Sequence, residues 1–358
     1  GAKSRAGVKQ PFSAPLKQNR PDIIHIVLDG YGRSDSLRKV MRYDNSAFLE
    51  ALRKRGFQVL PGARANYVQT EQSLSSALNL NYVEHLYPEA RPSSMDRTPL
   101  DRAIDRSLVS MRLRAIGYTY VAITTGFPFF SFRSADLVLG ERSGNALFLT
   151  SLLNLTPLPE SSWISESQYE VKRKAVLSAF ANIAELSAPS RTPKFIFAHI
   201  LMPHPPFVFG PNGEAAPQRR GGNALSDGSH YMSRGGTPDT YRSGYVGQIT
   251  YLNKVVIETL DKVLKQAKPD SIIIIHGDHG SKLGLDQDSL SKTDIVEVAP
   301  ILMAVKGPLM PDNLSPVNLY RIIFSDVFGD PWSELPSHTY YSTWEKPYVY
   351  HDVTNRVP

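Results

Sequence analysis

The sequence predicts an α/β fold: a mostly parallel sheet with helices on both faces. Three observations predict it. The runs Ile23–Leu28 (IIHIVL), Lys194–Leu201 (KFIFAHIL) and Ser271–Ile275 (SIIII) are apolar without alternation, as strands buried on both faces are. Longer stretches of helical periodicity stand between such runs, and alternation of the two element types argues for layers around one parallel sheet. Finally, 41% hydrophobic and 21% charged residues over 358 positions is the balance of a soluble globular chain rather than a fibre or a disordered tail.

Taken in order, Ile23–Leu28 ends at Asp29-Gly30, as a buried strand ends in a turn. Asp44-Asn45-Ser46 offers a helix cap before Phe48, Leu49 and Leu52, which share one helical face. Residues 66–79 (NYVQTEQSLSSALN) read as a polar turn followed by a helix on which Leu74 and Leu78 align. A helix over Ser107–Ile116 precedes a strand over Tyr118–Thr124, and Ser161–Leu186 is helical. Phe209–Thr237, rich in Gly, Ser, Pro, Asn and Arg, is a long surface loop of the kind that serves as a functional lid. In Tyr245–Leu264 the residues Ile249, Leu252, Val256, Leu260 and Leu264 form one face. Ala299–Val305 adds a strand, and SPVNLYRIIF, with Asn318 and Arg321, is an amphipathic helix packed on the sheet. His338 and His351 fall in aromatic segments and read as structural.

Composition excludes several functions. Lys plus Arg is 40 against 34 for Asp plus Glu, a mild excess with no basic-aromatic array, so nucleic-acid binding is not supported. Cysteine is absent, which removes disulfides, thiolate metal sites and cysteine nucleophiles together. No run approaches the roughly 20 apolar residues that cross a bilayer. Residues 1–20 carry Lys3, Arg5, Lys9, Lys17 and Arg20 with no acid and are interrupted by Pro11 and Pro15. They read as a solvated basic linker, or as a tether following membrane segments. One catalytic domain over residues 21–330 and a C-terminal extension over 331–358, packed on it, complete the expected organisation.

Ligands of open α/β sheets gather at the carboxyl ends of strands. Three strands here end in reactive groups: Asp29-Gly30, then Met202-Pro203-His204-Pro205-Pro206, then His276-Gly277-Asp278-His279-Gly280. Carboxylate and neutral imidazole are ligands suited to Zn or Mn, and glycine beside each acid lets the backbone turn sharply. Between the first two clusters lie the hydroxyls of Thr70, Ser73, Ser75 and Ser76 at the start of a helix. Thr70 reads as the helix N-cap, and a hydroxyl there sits beside free amide groups and the positive end of the helix dipole. A metal ion on the same oxygen would favour its ionised, nucleophilic form.

With those pieces in this order, the chain resembles the alkaline phosphatase/sulfatase superfamily from Pro21 to about Phe328. The resemblance is carried by PDIIHIVLDGYG, NYVQTEQSLSSALN, KFIFAHILMPHPPF, the helix over residues 241–264 and IIIIHGDHG. It is closest to the sulfatase-like hydrolase/transferase branch that includes lipoteichoic acid synthases and lipid A phosphoethanolamine transferases. The resemblance implies a three-layer α/β/α sandwich. It also implies one divalent metal ion, Zn or Mn, held by Asp29, Asp278, His279 and Thr70, with a second metal left open. Thr70 falls on the nucleophile position. His204 matches the histidine that holds the phosphoryl group or protonates the leaving group. His199 and Ser73 match positions on the substrate side. Two departures sharpen the expectation. Thr70 is followed by Glu71-Gln72-Ser73-Leu74, without the Pro and Arg of the formylglycine motif, so sulfate-ester cleavage by that route is not expected. After His279 come Lys282, Asp286, Asp288, Thr293, Asp294 and Glu297 but no His until His338, which favours a single metal. The implied enzyme transfers or hydrolyses a phosphoryl group of an anionic lipid or surface glycan. It would work on the periplasmic or extracellular face of a bacterial membrane, tethered there through its N-terminal side. The rivals are a sulfatase-like ester hydrolase or phosphomonoesterase of the same fold and, from another class, a glycan- or partner-binding module that keeps the fold without the chemistry.

Overall fold

The computed structural model describes residues 20–126, 130–140, 162–217 and 226–358. The expected linker lies almost wholly outside the described residues.

Among the described residues, seven strands form the central sheet: β1 (Ile23–Leu28), β2 (Gln58–Val59), β3 (Thr119–Thr124), β4 (Leu137–Leu139), β5 (Lys194–Ile200), β6 (Ile272–His276) and β7 (Met303–Lys306), in the order β2-β7-β6-β1-β5-β3-β4. The five strands from β6 to β4 run parallel, and β7 and β2 are antiparallel to their neighbours. The three apolar runs recognised in the sequence are thus the three central strands, where both faces are covered.

Alternation along β1 shows the layering. Ile24, Ile26 and Leu28 enter one core with α5 (Ser162–Leu186), α7 (Pro238–Gln266) and α1 (Ser46–Lys54). Ile23 and Val27 enter the other with α2 (Thr70–Asn79), α3 (Thr98–Asp105), α4 (Leu108–Ala115) and α8 (Pro316–Phe328). The result is the three-layer sandwich expected. Asp44 accepts from the Ser46 N–H and hydroxyl ahead of α1, and Ser107 accepts from the Ser110 N–H at the start of α4.

Three details differ from expectation. The long loop over Phe209–Thr237 contains α6 (Gly228–Ser233) and ends in a capping box, in which Thr237 and Thr240 bond each other's backbone at the start of α7. That box begins the helix seven residues earlier than apolar periodicity indicated. The helix α8 is buried on nearly every side rather than along one stripe. Its outer face is covered by the segment after residue 330: Asn318 exchanges hydrogen bonds with Leu335, and Arg321 donates to Ser333 O. The same segment continues over the site loops. There Thr339 donates to Ala65 O, the Tyr340 N–H to Asn66 O and the Trp344 N–H to Gln287 O.

Candidate active site

Strands β6, β1 and β5 are adjacent and parallel, so their carboxyl ends lie side by side. The register pairs Val27 with both His199 and His276. Asp29, two residues beyond Val27, and Asp278, two beyond His276, therefore arrive beside His199 through pleat periodicity alone. Gly30 adopts a left-handed φ of +80°, open to glycine without strain, and its N–H donates to Asp278 Oδ1 at 3.0 Å. A Cβ on Gly277 would lie 2.3 Å from Tyr31 O, so no other residue permits this approach of the two loops.

Asp29, His199 and Asp278 are all buried and offer ligand atoms within 4.8 Å of one another. His279 joins them, with Nε2 3.3 Å from Asp29 Oδ1 and 3.4 Å from Asp278 Oδ2. His199 Nε2 lies 3.2 Å from Asp29 Oδ2. Asp278 Oδ1 accepts two backbone N–H groups, from Gly30 and His279, which leaves Oδ2 to face the cluster. Neither Asp29 oxygen nor Asp278 Oδ2 accepts a hydrogen bond of proper geometry. Two ionised carboxylates at this separation repel by roughly 3–4 kcal/mol at an effective dielectric constant of about 20. A buried unbonded carboxylate oxygen is a further expense that native interiors avoid. A divalent cation among these oxygens and imidazoles turns both terms favourable, so the donor set fits a metal. The imidazole of His279 is arranged for it: Nδ1 donates to Gly280 O at 2.8 Å, which leaves the Nε2 lone pair for a ligand bond. Burial opposes ionisation of Asp29, but the charge of His204 and contacts from His199 and His279 outweigh it and hold the carboxyl well below its usual range. Sequence reading set His199 on the substrate side; the geometry puts it within the ligand cluster.

Thr70 is the first residue of α2, and Gln69, not Thr70, occupies the N-cap. That shift matters. A capping hydroxyl is spent on its own helix, whereas Thr70 Oγ1 is turned to His279 Nε2 at 3.1 Å. Ser73 is engaged otherwise: its hydroxyl donates to Asp278 O at 2.6 Å, so it fastens α2 to the ligand loop instead of facing a substrate. Ser75 donates to Leu100 O. Among these hydroxyls with partners, Thr70 alone reaches a site histidine.

His204 follows β5, and its N–H donates to Asp29 O, which locks it beside the cluster. Its ring centre lies 6.4 Å from that of His279. Both ring nitrogens face acceptors: Nδ1 is 2.5 Å from Pro205 O and Nε2 is 2.9 Å from Asp227 Oδ2. Burial disfavours the imidazolium, but Asp29 and Asp227 overcome it and raise the pKa above its ordinary value. Asp227, Lys282, Gln287 and Gln69 were not singled out for the site by the sequence. Lys282 Nζ lies 3.0 Å from Asp227 Oδ2, and Gln287 Nε2 donates to Asp227 Oδ1 at 2.6 Å. An acid in an apolar-poor loop and a lysine beyond the histidine carry no local signal, because only folding places them together. Lys172 on α5 reaches over the same loop and donates to His204 O and Pro206 O. Burial lowers its pKa to about 7 despite the attraction of Asp29.

Phe130 stands edge-on to His199 at 5.0 Å, and Phe209 is in the core. Pro205, Pro206 and Phe207 line a cavity of about 400 Å³ with Tyr231, Arg234 and Gly244. The later acids stay out of the cluster. Glu297 accepts from Ser281 and from the Leu283 and Gly284 N–H groups, and Asp294 caps a short helix. His338 pairs with Asp352, and His351 is exposed. Among the described residues, one group of acids and histidines has metal-ligand spacing.

The family model described as Sulfatase matches residues 21–296. The chain belongs to the sulfatase family. Its fold is shared with solved members and neighbours of that superfamily. The zinc complex of the C-terminal periplasmic domain of EptC from Escherichia coli is 16% identical, with a TM-score of 0.57 over 98% of this chain and 97% of that one. The phosphonate monoester hydrolase of Agrobacterium radiobacter is 14% identical, with a TM-score of 0.52 over 90% and 80% of the two chains. A 2-O GAG sulfatase gives 14% and 0.54 over 91% and 78%. No curated protein sequence matches the chain. Membership of the sulfatase family makes it a hydrolase or transferase of a superfamily whose members use metals.

Proposed function

We propose that this sulfatase-family protein is a metal-dependent phosphoryl-group transferase or phosphodiesterase, acting on a lipid or glycan of the bacterial cell envelope through a covalent Thr70 intermediate. The observation that carries the reading is the Thr70 hydroxyl, 3.1 Å from His279 Nε2 at the N-terminus of a buried helix, in a chain without cysteine and without the formylglycine motif. Asp29, Asp278, His279 and Thr70 would hold the ion, with His199 beside them. When bound, a Zn- or Mn-type ion supplies positive charge that favours ionisation of the hydroxyl and balances the transferred group.

The residues of the chain then divide the work. Thr70 attacks phosphorus in line; its bond to phosphorus forms as the bond to the departing alcohol breaks. The first-turn N–H groups of α2 stabilise charge on the phosphoryl oxygens. His204 gives its Nε2 proton to the departing oxygen and regains one from the acceptor that later cleaves the threonine ester. Because that proton rests on Asp227, transfer begins from a hydrogen bond the ring must surrender. Water as acceptor makes a hydrolase and a glycan hydroxyl a transferase. The apolar cavity beside Pro205–Phe207 suits the apolar part of an amphiphile. Basic residues among the first twenty suit an anionic surface, and similarity to a periplasmic domain supports the periplasmic or outer face.

Intact-mass analysis after incubation with extracted membrane lipids tests this. A phosphoryl-containing increment on Thr70, absent in Thr70→Ala, is the expected result. Full metal-dependent activity in Thr70→Ala would sink the assignment, and turnover of sulfate esters but not phosphate diesters would move the protein to the sulfatase reading.

A further inference from the structure

Beside the metal-type ligands lies a second buried polar cluster that the ligand set does not use. Asp227 is its centre. Its Oδ2 meets His204 Nε2 at 2.9 Å and Lys282 Nζ at 3.0 Å, and its Oδ1 accepts from Gln287 Nε2 at 2.6 Å. Gln287 Oε1 accepts in turn from Gln69 Nε2 at 2.8 Å, and Gln69 is the N-cap residue directly before Thr70. All five side chains are buried. The cluster joins four separate segments: the loop after β5, the start of α6, the loop after β6 and the start of α2.

We propose that Asp227 is the positioning residue of the reaction, fixing the direction of the His204 ring relative to Thr70 through the Gln287–Gln69 link. The proposal rests on the reading above, in which His204 serves the departing group. Three features argue for positioning over simple ion pairing. Asp227 holds Nε2 while Pro205 O holds Nδ1, so the ring has one orientation. Lys282 shares Oδ2, which keeps the buried carboxylate paired when the Nε2 proton is given up. The amide chain then ends on the cap of the nucleophile's own helix, so one network sets the positions of both reacting groups.

The test is a double-mutant cycle on the zinc-loaded protein with two diesters, methyl phenyl phosphate and methyl p-nitrophenyl phosphate. Asp227→Asn and His204→Ala should each lower kcat on the phenyl ester about 100-fold, within the range for general acid–base groups. KM should change little. The loss on the p-nitrophenyl ester, whose leaving group needs less help, should be under tenfold. The double variant should be no worse than the poorer single one, because Asp227 acts through His204. Asp227→Asn leaves Lys282 buried without its counter-ion, so Asp227→Asn/Lys282→Met serves as a charge-balanced second variant and should show the same losses. In proton NMR of the metal-loaded protein, a downfield imidazole N–H resonance that His204→Ala removes should also vanish in both Asp227 variants. Additive losses, equal losses on the two esters in Asp227→Asn where His204→Ala separates them, or persistence of that resonance overturns the proposal alone. A wild-type protein that turns over neither ester overturns the functional reading and the proposal with it.

Discussion

Two buried histidine clusters lie side by side on the same strands, and they are opposites. One comprises Asp29, His199, Asp278 and His279. The other comprises His25, His276 and Tyr320, where His25 precedes Asp29 by four residues and His276 precedes Asp278 by two. In the second cluster every polar atom has a neutral partner: Tyr320 OH meets His25 Nδ1 at 2.9 Å, His25 Nε2 meets His276 Nε2 at 2.7 Å, and His276 Nδ1 donates to Gly277 O. Burial, with mutual repulsion in His25, pushes both imidazoles below their ordinary pKa. Such a chain is a satisfied part of the core. The first cluster gathers two carboxylates with unbonded oxygens, which a protein core tolerates only for a purpose. Burial alone therefore says nothing about function. Unsatisfied, charge-bearing burial does.

The contrast can be broken from either side. The largest expected effect is on turnover: Asp278→Asn should abolish metal-dependent activity, by at least about a thousandfold, while Tyr320→Phe leaves kcat within about twofold. Steady-state kinetics on a diester decides, and equal losses would erase the distinction between the clusters. Next comes metal linkage. A site that binds an ion at 1,000 times its Kd gains about 4 kcal/mol of stability, so a chelator should lower the melting temperature of the wild type strongly and that of Asp278→Asn hardly at all.

A pH dependence follows from the histidine pair. Their folded pKa values are depressed below 6.5, so the stability they contribute is fully present above pH 6.5 and is lost as pH falls through the folded values. For each histidine the loss is about 1.4 kcal/mol per pH unit once acid reaches that window. Metal-free His25→Phe should give a flatter denaturation curve below pH 6.5 than the metal-free wild type, as followed by circular dichroism. The smallest effect belongs to Tyr320→Phe, which removes one buried hydroxyl from its histidine and should cost about 1–2 kcal/mol in chemical denaturation. A cost near zero would mean that the His25 ring finds another partner.

The central strands were legible in the amino-acid order because continuous β-branched runs have few other stable uses, and α7 was legible through its 3.6-residue apolar stripe. Asp29, Thr70, Asp278 and His279 were legible too, since each sits where a recognisable element begins or ends. The edge strands β2 and β4 were not, being two and three residues long. The difference between His25 and His199 was equally hidden: both are histidines within buried strands, and only register and neighbours show that one meets a tyrosine and the other a carboxylate. Ser73 and Thr70 likewise stand three residues apart on one helix, yet the first serves the loop and the second faces the cluster. Asp227 shows the limit most plainly. Local sequence encodes periodicity, turns and element ends, whose energies are set within a few residues. The charge environment of Asp227 is set by Lys282 and His204, brought from 55 and 23 positions away, and it comes into being when the layers close.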